Sequence, residues 1–260
     1  MKLVSDQLQT ELLSPNDGPV ATVLNPNFMS PVLLVCEHAS ASIPEALGDL
    51  GLSVADRFSH AVWDPGAGAL TEALSSTLNA PAILSRVSRL VYDCNRPPER
   101  PDAMPDQTEK VTIPGNRDLS DAARALRTTS IYDPFHALVG ATIDQFEKPP
   151  ALVTVHSFSP IWFDKPRSTE IGILHDDDPT LALEMMALAE PGIRIELNEP
   201  YSAKDGVTHT LARHGSARGL RNVMLEIRND LLATDEDVGR ISAVLTAMLA
   251  PILAKEGAQT

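Results

Sequence analysis

Apolar runs of strand length recur along this chain, and segments with helical spacing lie between several of them. The runs are Val32–Cys36, Ala82–Leu84, Leu90–Tyr92, Leu152–Val155, Ile171–Leu174, Ile193–Leu197 and Val223–Ile227. Leu70, Leu74 and Leu78 mark one helix, and Leu181, Met185 and Leu188 mark another. A third carries Val238, Ile241, Leu245, Met248, Leu249 and Ile252 on one face, with Thr234 as its cap and an acidic first turn over Asp235 to Asp237. Near-continuous apolar strands have no polar face to turn toward water, so their sheet must be covered on both sides. The pattern predicts one α/β domain over residues 1–260, a mostly parallel mixed sheet flanked by helices on both faces. Asn95–Asp118 is rich in proline and polar residues and reads as a long loop, a kind of segment that often carries function.

Charge and cysteine content narrow the setting. The chain has 260 residues and a formal net charge of −14, which disfavours nucleic acid and anionic membranes as partners. The stretch MKLVSDQLQTELLSPNDG has one lysine and early acids without a sustained apolar core, so no signal peptide is expected there. No apolar run is expected to span a membrane. Two cysteines, Cys36 and Cys94, are too few for a disulfide scaffold and fit a reduced, cytoplasmic setting.

Ligands of such sheets sit beyond the carboxyl ends of the strands, so the residues that follow each strand matter most. They are Glu37 and His38, Asp93 to Arg96, and His156 with Ser157. Two histidines at separate strand ends, with acids nearby, can supply two of the roughly three protein ligands that a catalytic zinc needs. Asp64 precedes Pro65 at the start of a helix pattern, so it reads either as an N-cap or as a metal ligand. Glu226 is an acid inside an apolar strand, and burial is costly unless the carboxylate is paired, for example with Arg228, or kept for proton transfer. Arg86, Arg89 and Arg96 form a local basic cluster in an acidic chain. Their guanidinium groups suit a carboxylate-bearing substrate, or else ion pairs with Asp93 and Glu99. Histidines 60, 136, 175, 209 and 214 read individually as surface or packing residues. The segment VHSFSP lacks the Gly-x-Ser-x-Gly elbow of serine hydrolases, and neither GNRDLSD nor DPGAGAL has a phosphate-loop spacing.

PVLLVCEHASASIP, HAVWDPGA, SRLVYDCNRP, IPGN, VTVHSFSP and NVMLEIRNDLL resemble, in this order, the motifs of the N-formylglutamate amidohydrolase family. They cover residues from about 30 to 232, with one departure at Ala41, where that family more often has Asn. The family is in turn similar to zinc carboxypeptidases, which implies a zinc-carboxypeptidase-like fold. That likeness places the last zinc histidine on His156, the catalytic glutamate on Glu226 and the carboxylate-holding pair on Asn95 and Arg96. It also assigns Asp64, ahead of the helix, as the acidic ligand beside His38, with Glu37 left as the alternative acid or as an outer partner of a ligand. The resemblance therefore implies one zinc per chain held by His38, Asp64 and His156, and Glu226 as general base. Asn95, Arg96 and Arg89 are expected on a small anionic N-acyl amino acid, foremost N-formyl-L-glutamate. A carboxypeptidase-like peptidase, a deacylase of other N-acyl amino acids and a non-catalytic carboxylate-binding protein are the other readings.

Overall fold

The computed structural model describes residues 11–258. The first ten residues, on which the reading of the N-terminus partly rests, lie outside them. In chain order come β1 (Ala21–Leu24), β2 (Val32–Cys36), α1 (Ala67–Leu78) and β3 (Ala82–Ser85). Two short strands, β4 (Gln107–Thr108) and β5 (Val111–Thr112), make a small hairpin, followed by α2 (Asp121–Arg127) and α3 (Asp133–Ile143). Then follow β6 (Ala151–Phe158) and a second small hairpin of β7 (Ile161–Trp162) and β8 (Lys165–Pro166). The chain ends with β9 (Ile171–Leu174), α4 (Thr180–Ala187), β10 (Ile195–Leu197), β11 (Asn222–Arg228) and α5 (Asp235–Ala258).

Seven strands form one sheet in the order β1-β3-β2-β6-β11-β9-β10. Pairing is parallel from β3 through β2 and β6 to β11 and again between β9 and β10, and antiparallel for β1 with β3 and β11 with β9. The sheet is therefore mixed and mostly parallel, as its unbroken apolar strands require. Alternate residues along each strand feed two cores. Val32, Leu34, Val153, Val155, Val223 and Leu225 pack with apolar residues of α1, α4 and α5 on one face. Leu33, Val35, Leu152 and Met224 pack on the other with Ile131, Phe135 and Val139 and with the segment around Leu90 and Tyr92. By length and composition Asp235–Lys255 could cross a membrane. Its apolar residues Val238, Ile241, Leu245, Leu249 and Ile252 are instead buried in the first core.

Three expectations need correction. Leu90–Tyr92 is a turn after β3, not a strand. Its backbone carbonyls go to side chains, Leu90 O to the Asn116 amide at 2.7 Å and Val91 O to Arg127 at 3.2 Å, so no neighbouring strand pairs with it. Residues 121–143, in which no helix was expected, form α2 and α3 joined by a π-helical stretch, Thr128–Tyr132. Asp64 does not cap a helix. Helix α1 begins at Ala67 behind Gly66, whose φ of 81° and closeness to Leu232 (2.4 Å from where a Cβ would stand) demand glycine. The Asp64 carboxylate is thereby free to turn elsewhere. The cap on α5 is present, with the Asp237 amide donating to Thr234 Oγ1 at 3.1 Å.

Candidate active site

The order of the sheet reverses at β2: the chain runs from β2 through α1 to β3 on one side, while β6 lies on the other. Crevices at such switch points, at the carboxyl ends of the strands, are where α/β proteins bind ligands. Glu37 and His38 follow β2 there, and His156 lies near the end of β6. Glu226 on β11 stands opposite His156 in register and on the same face. All four are buried, as are Asp64 and Asp93.

His38 Nε2 donates to Asp93 Oδ1 at 2.7 Å, which turns His38 Nδ1 toward Asp64 and His156. Asp64 Oδ2 lies 3.2 Å from His38 Nδ1 and 3.0 Å from His156 Nδ1, and the two Nδ1 atoms are 3.1 Å apart. On the far side of the second ring, His156 Nε2 is 3.1 Å from Glu37 Oε2, off the line of a good hydrogen bond. Each imidazole thus has a carboxylate at its back and presents Nδ1 to a common point. Three lone-pair atoms gathered this closely need a proton or a cation shared among them. Ligands of a tetrahedral zinc with bonds near 2.0–2.1 Å stand roughly 3.3 Å from one another, so the donor set and its spacing fit that ion. Carboxylates behind metal-binding histidines fix the tautomer and raise ligand basicity. Burial alone would lower the pKa of His156, but Glu37 and Asp64 outweigh it and raise it well above that of a free imidazole. A proton and a metal ion compete for the same place.

Glu226 has the opposite surroundings. Burial, chiefly, pushes its pKa up to about 7, with Asp64 adding to the rise against the pull of His156 and Arg89. Its Oε2 is buried and has no hydrogen-bond partner among the described residues. A carboxylate poised near neutrality beside a cavity is suited to taking up and returning a proton. Arg228, the pairing partner considered from sequence, instead bridges to Asp230 at 2.8 Å and to Glu170 at 3.6 Å.

Of the three arginines, Arg86 is exposed, while Arg89 and Arg96 line the cavity in front of the histidines. Arg89 forks between Asp64 Oδ1 at 3.1 Å and Asp93 Oδ2 at 2.9 Å, with part of its side chain still open to the cavity. Asn95 also lines the cavity, but its side chain braces the 207–210 loop by donating to Val207 O and accepting from the Thr210 amide at 3.0 Å. Arg96 donates to Gly206 O and lies 3.2 Å from Asp102. The cavity holds about 280 Å³, at the low end of ligand pockets generally. Asp93 was weighed in the sequence only as an ion-pair partner of the arginines. Tyr201, Trp162 and His60 also line the cavity, and no local pattern singles them out.

A mostly parallel sheet with titratable side chains gathered in a cavity at its switch point is the arrangement of an α/β enzyme. The sequence profile of the N-formylglutamate amidohydrolase family matches residues 30–233, and the chain belongs to that family. Amide hydrolysis is the activity that this membership assigns. A crystal structure of a gene product from Agrobacterium tumefaciens is similar at 45% identity and a TM-score of 0.90, covering 93% of this chain and 99% of that one. The N-formylglutamate amidohydrolase from Ralstonia eutropha shares the fold at 18% identity and a TM-score of 0.69, over 91% of this chain and 98% of its own. No curated protein matches by sequence.

Proposed function

We propose that this amidohydrolase is zinc-dependent and cleaves N-formyl-L-glutamate to formate and L-glutamate. The observation that carries the reading is the convergence of His38 Nδ1, His156 Nδ1 and Asp64 Oδ2, with Glu226 beside them and a small cavity in front. His38, Asp64 and His156 would hold the ion, which supplies a Lewis acid at the amide carbonyl and a more acidic water. Asp93 holds the His38 ring through its Nε2–H, and Glu37 stands behind the His156 ring as a charge partner 3.1 Å away. Glu226 accepts a proton from the attacking water at its unpartnered Oε2 and returns it to the departing amine nitrogen. Its near-neutral pKa suits both transfers. Arg96 and Asn95 at the cavity wall meet the carboxylate beside the cut amide, and the open edge of Arg89 meets the side-chain carboxylate. The small cavity favours one amino acid over a peptide. The two reduced cysteines, both buried and unpaired, fit a cytoplasmic setting.

A second reading is favoured by one observation. Arg89 already shares its guanidinium between Asp64 and Asp93, which leaves less of it for a second substrate carboxylate. The protein would then remove the acyl group from N-acyl amino acids more generally. A formate-release assay on N-formylglutamate and N-formylglutamine, run with zinc analysis of protein purified without chelators, separates these possibilities. N-formylglutamate should win clearly, and Arg89→Met should shrink that preference. Equal rates would keep the hydrolase and remove the glutamate assignment, and zinc-free protein with full activity would remove the metal.

A further inference from the structure

The two small hairpins meet over the cavity, where Glu109 and Lys110 at the turn of the first reach the turn of the second. Gln107 and Thr108 of the β4–β5 hairpin and Trp162 of the β7–β8 hairpin line the cavity together with His60. At the turn of the first hairpin, Glu109 reaches both other segments. Its Oε1 accepts from the Phe163 amide at 3.1 Å, and its Oε2 lies 3.2 Å from His60 Nε2. Next to it, Lys110 pairs with Asp164 at 2.6 Å, but both of those side chains are largely exposed and such pairs contribute little. The Glu109 side chain is only 12% exposed although it stands on a hairpin turn. The His60 and Trp162 rings meet edge to face with centroids 6.4 Å apart. Trp162 is backed in turn by the Arg167 guanidinium, 5.0 Å from its ring centre.

The backbone at this junction is held in an unfavourable region. Glu109, Phe163 and Asp164 have φ of 41°, 45° and 62°, values that cost non-glycine residues energy and persist where the surroundings impose them. At Phe163 and Asp164 the two-residue turn of the β7–β8 hairpin itself requires positive φ, and the Phe163 amide at that turn is given to Glu109. Two tight turns joined by one largely buried carboxylate make a clasp across the mouth of the site.

We propose that Glu109 is a specificity-determining residue: by tying His60 to the turn of the β7–β8 hairpin, it closes the cavity and confines the enzyme to substrates with a short acyl group. This inference rests on the proposed hydrolysis of an N-acyl amino acid. Asn95 and Arg96 are assigned to the substrate carboxylate, so the length that the clasp limits is that of the acyl chain. Glu109→Ala removes both ties at once. The kcat/KM of N-butanoylglutamate, three carbons longer, relative to N-formylglutamate should then rise by roughly tenfold or more, since even one methylene can change discrimination by that factor. Amide hydrogen exchange of the wild-type and Glu109→Ala proteins reads the clasp without any substrate, and the variant should exchange faster within residues 107–112 and 161–166. An unchanged substrate ratio in the folded variant overturns the specificity role, and unchanged exchange overturns the clasp. If wild-type protein hydrolyses no N-acylglutamate, the proposed function fails by itself, while the exchange result still stands for or against the clasp.

Discussion

His38 and His156 lie among carboxylates, whereas His136 and His214, also buried, bond among the described residues only to each other and to the backbone. His136 Nε2 donates to Cys94 O at 2.9 Å, so its Nδ1 accepts from His214 Nε2 at 2.8 Å, and the two rings stack 5.0 Å apart. Burial, reinforced by histidine and arginine neighbours and opposed only by the Cys94 carbonyl at His136 and by Glu37 at His214, lowers His136 to a pKa of about 2 and His214 to about 4. At the strand ends, burial acts in the same direction, yet carboxylates reverse it and raise both rings. The same side chain at the same depth thus becomes a neutral packing element in one place and a seat for positive charge in the other. Burial alone does not make a histidine functional; the acids around it do.

Exchanging one histidine from each group tests that contrast most strongly. His156→Ala should lose most of the bound zinc, of which about one ion per chain is expected, and with it nearly all turnover. His136→Ala should keep its zinc and lose stability instead. Metal analysis and a denaturant midpoint on both variants decide the matter, and full metal in His156→Ala would end the assignment. A smaller loss is expected where the metal stays and only proton transfer is removed. Glu226→Gln should remain folded and zinc-loaded while turnover falls by roughly 10²-fold or more. Smaller still is the effect of the acids behind the rings. Asp93→Asn should weaken zinc binding by roughly 10–100-fold in a chelator competition, with the fold intact.

The smallest effect on zinc and turnover is expected at the neutral pair, whose signature lies in stability instead. An unperturbed histidine titrates near 6.5, and the pair's folded values lie below that, so the unfolded chain binds more protons. Their contribution is fully present above about pH 6.5 and is lost as pH falls below it toward the folded values. From pH 7 to pH 5 this should remove roughly 2 kcal/mol of stability for each of the two histidines. In His214→Gln that part of the pH dependence should shrink, as read from urea midpoints at the two pH values. An identical pH dependence in both proteins would show that the pair does not titrate on unfolding.

What the sequence determined by itself is mostly periodic or adjacent. Apolar runs and helical spacing located the strands from Val32 to Ile227 and the helices α1, α4 and α5, because side-chain period follows directly from backbone geometry. Thr234 announced its cap, and His38, His156 and Glu226 were visible as polar residues set in or beside apolar strands. What only the tertiary structure decided depends on partners far away in the chain. Leu90–Tyr92 has a strand's composition but gives its carbonyls to Asn116 and Arg127, 26 and 36 residues on. Asp93 stands behind His38 across 55 residues, and the Nδ1 atoms of His38 and His156 meet across 118. Asp64 read equally as a cap or as a ligand, and only the structure shows Gly66 at the helix start and the Asp64 carboxylate turned toward the histidines. Glu109 lies in a two-residue turn with nothing local to mark it, and gains its contacts only when the second hairpin folds over the same cavity. Local pattern fixes which way a side chain points along its own element, whereas the destination of a hydrogen bond is set by which elements the sheet brings side by side.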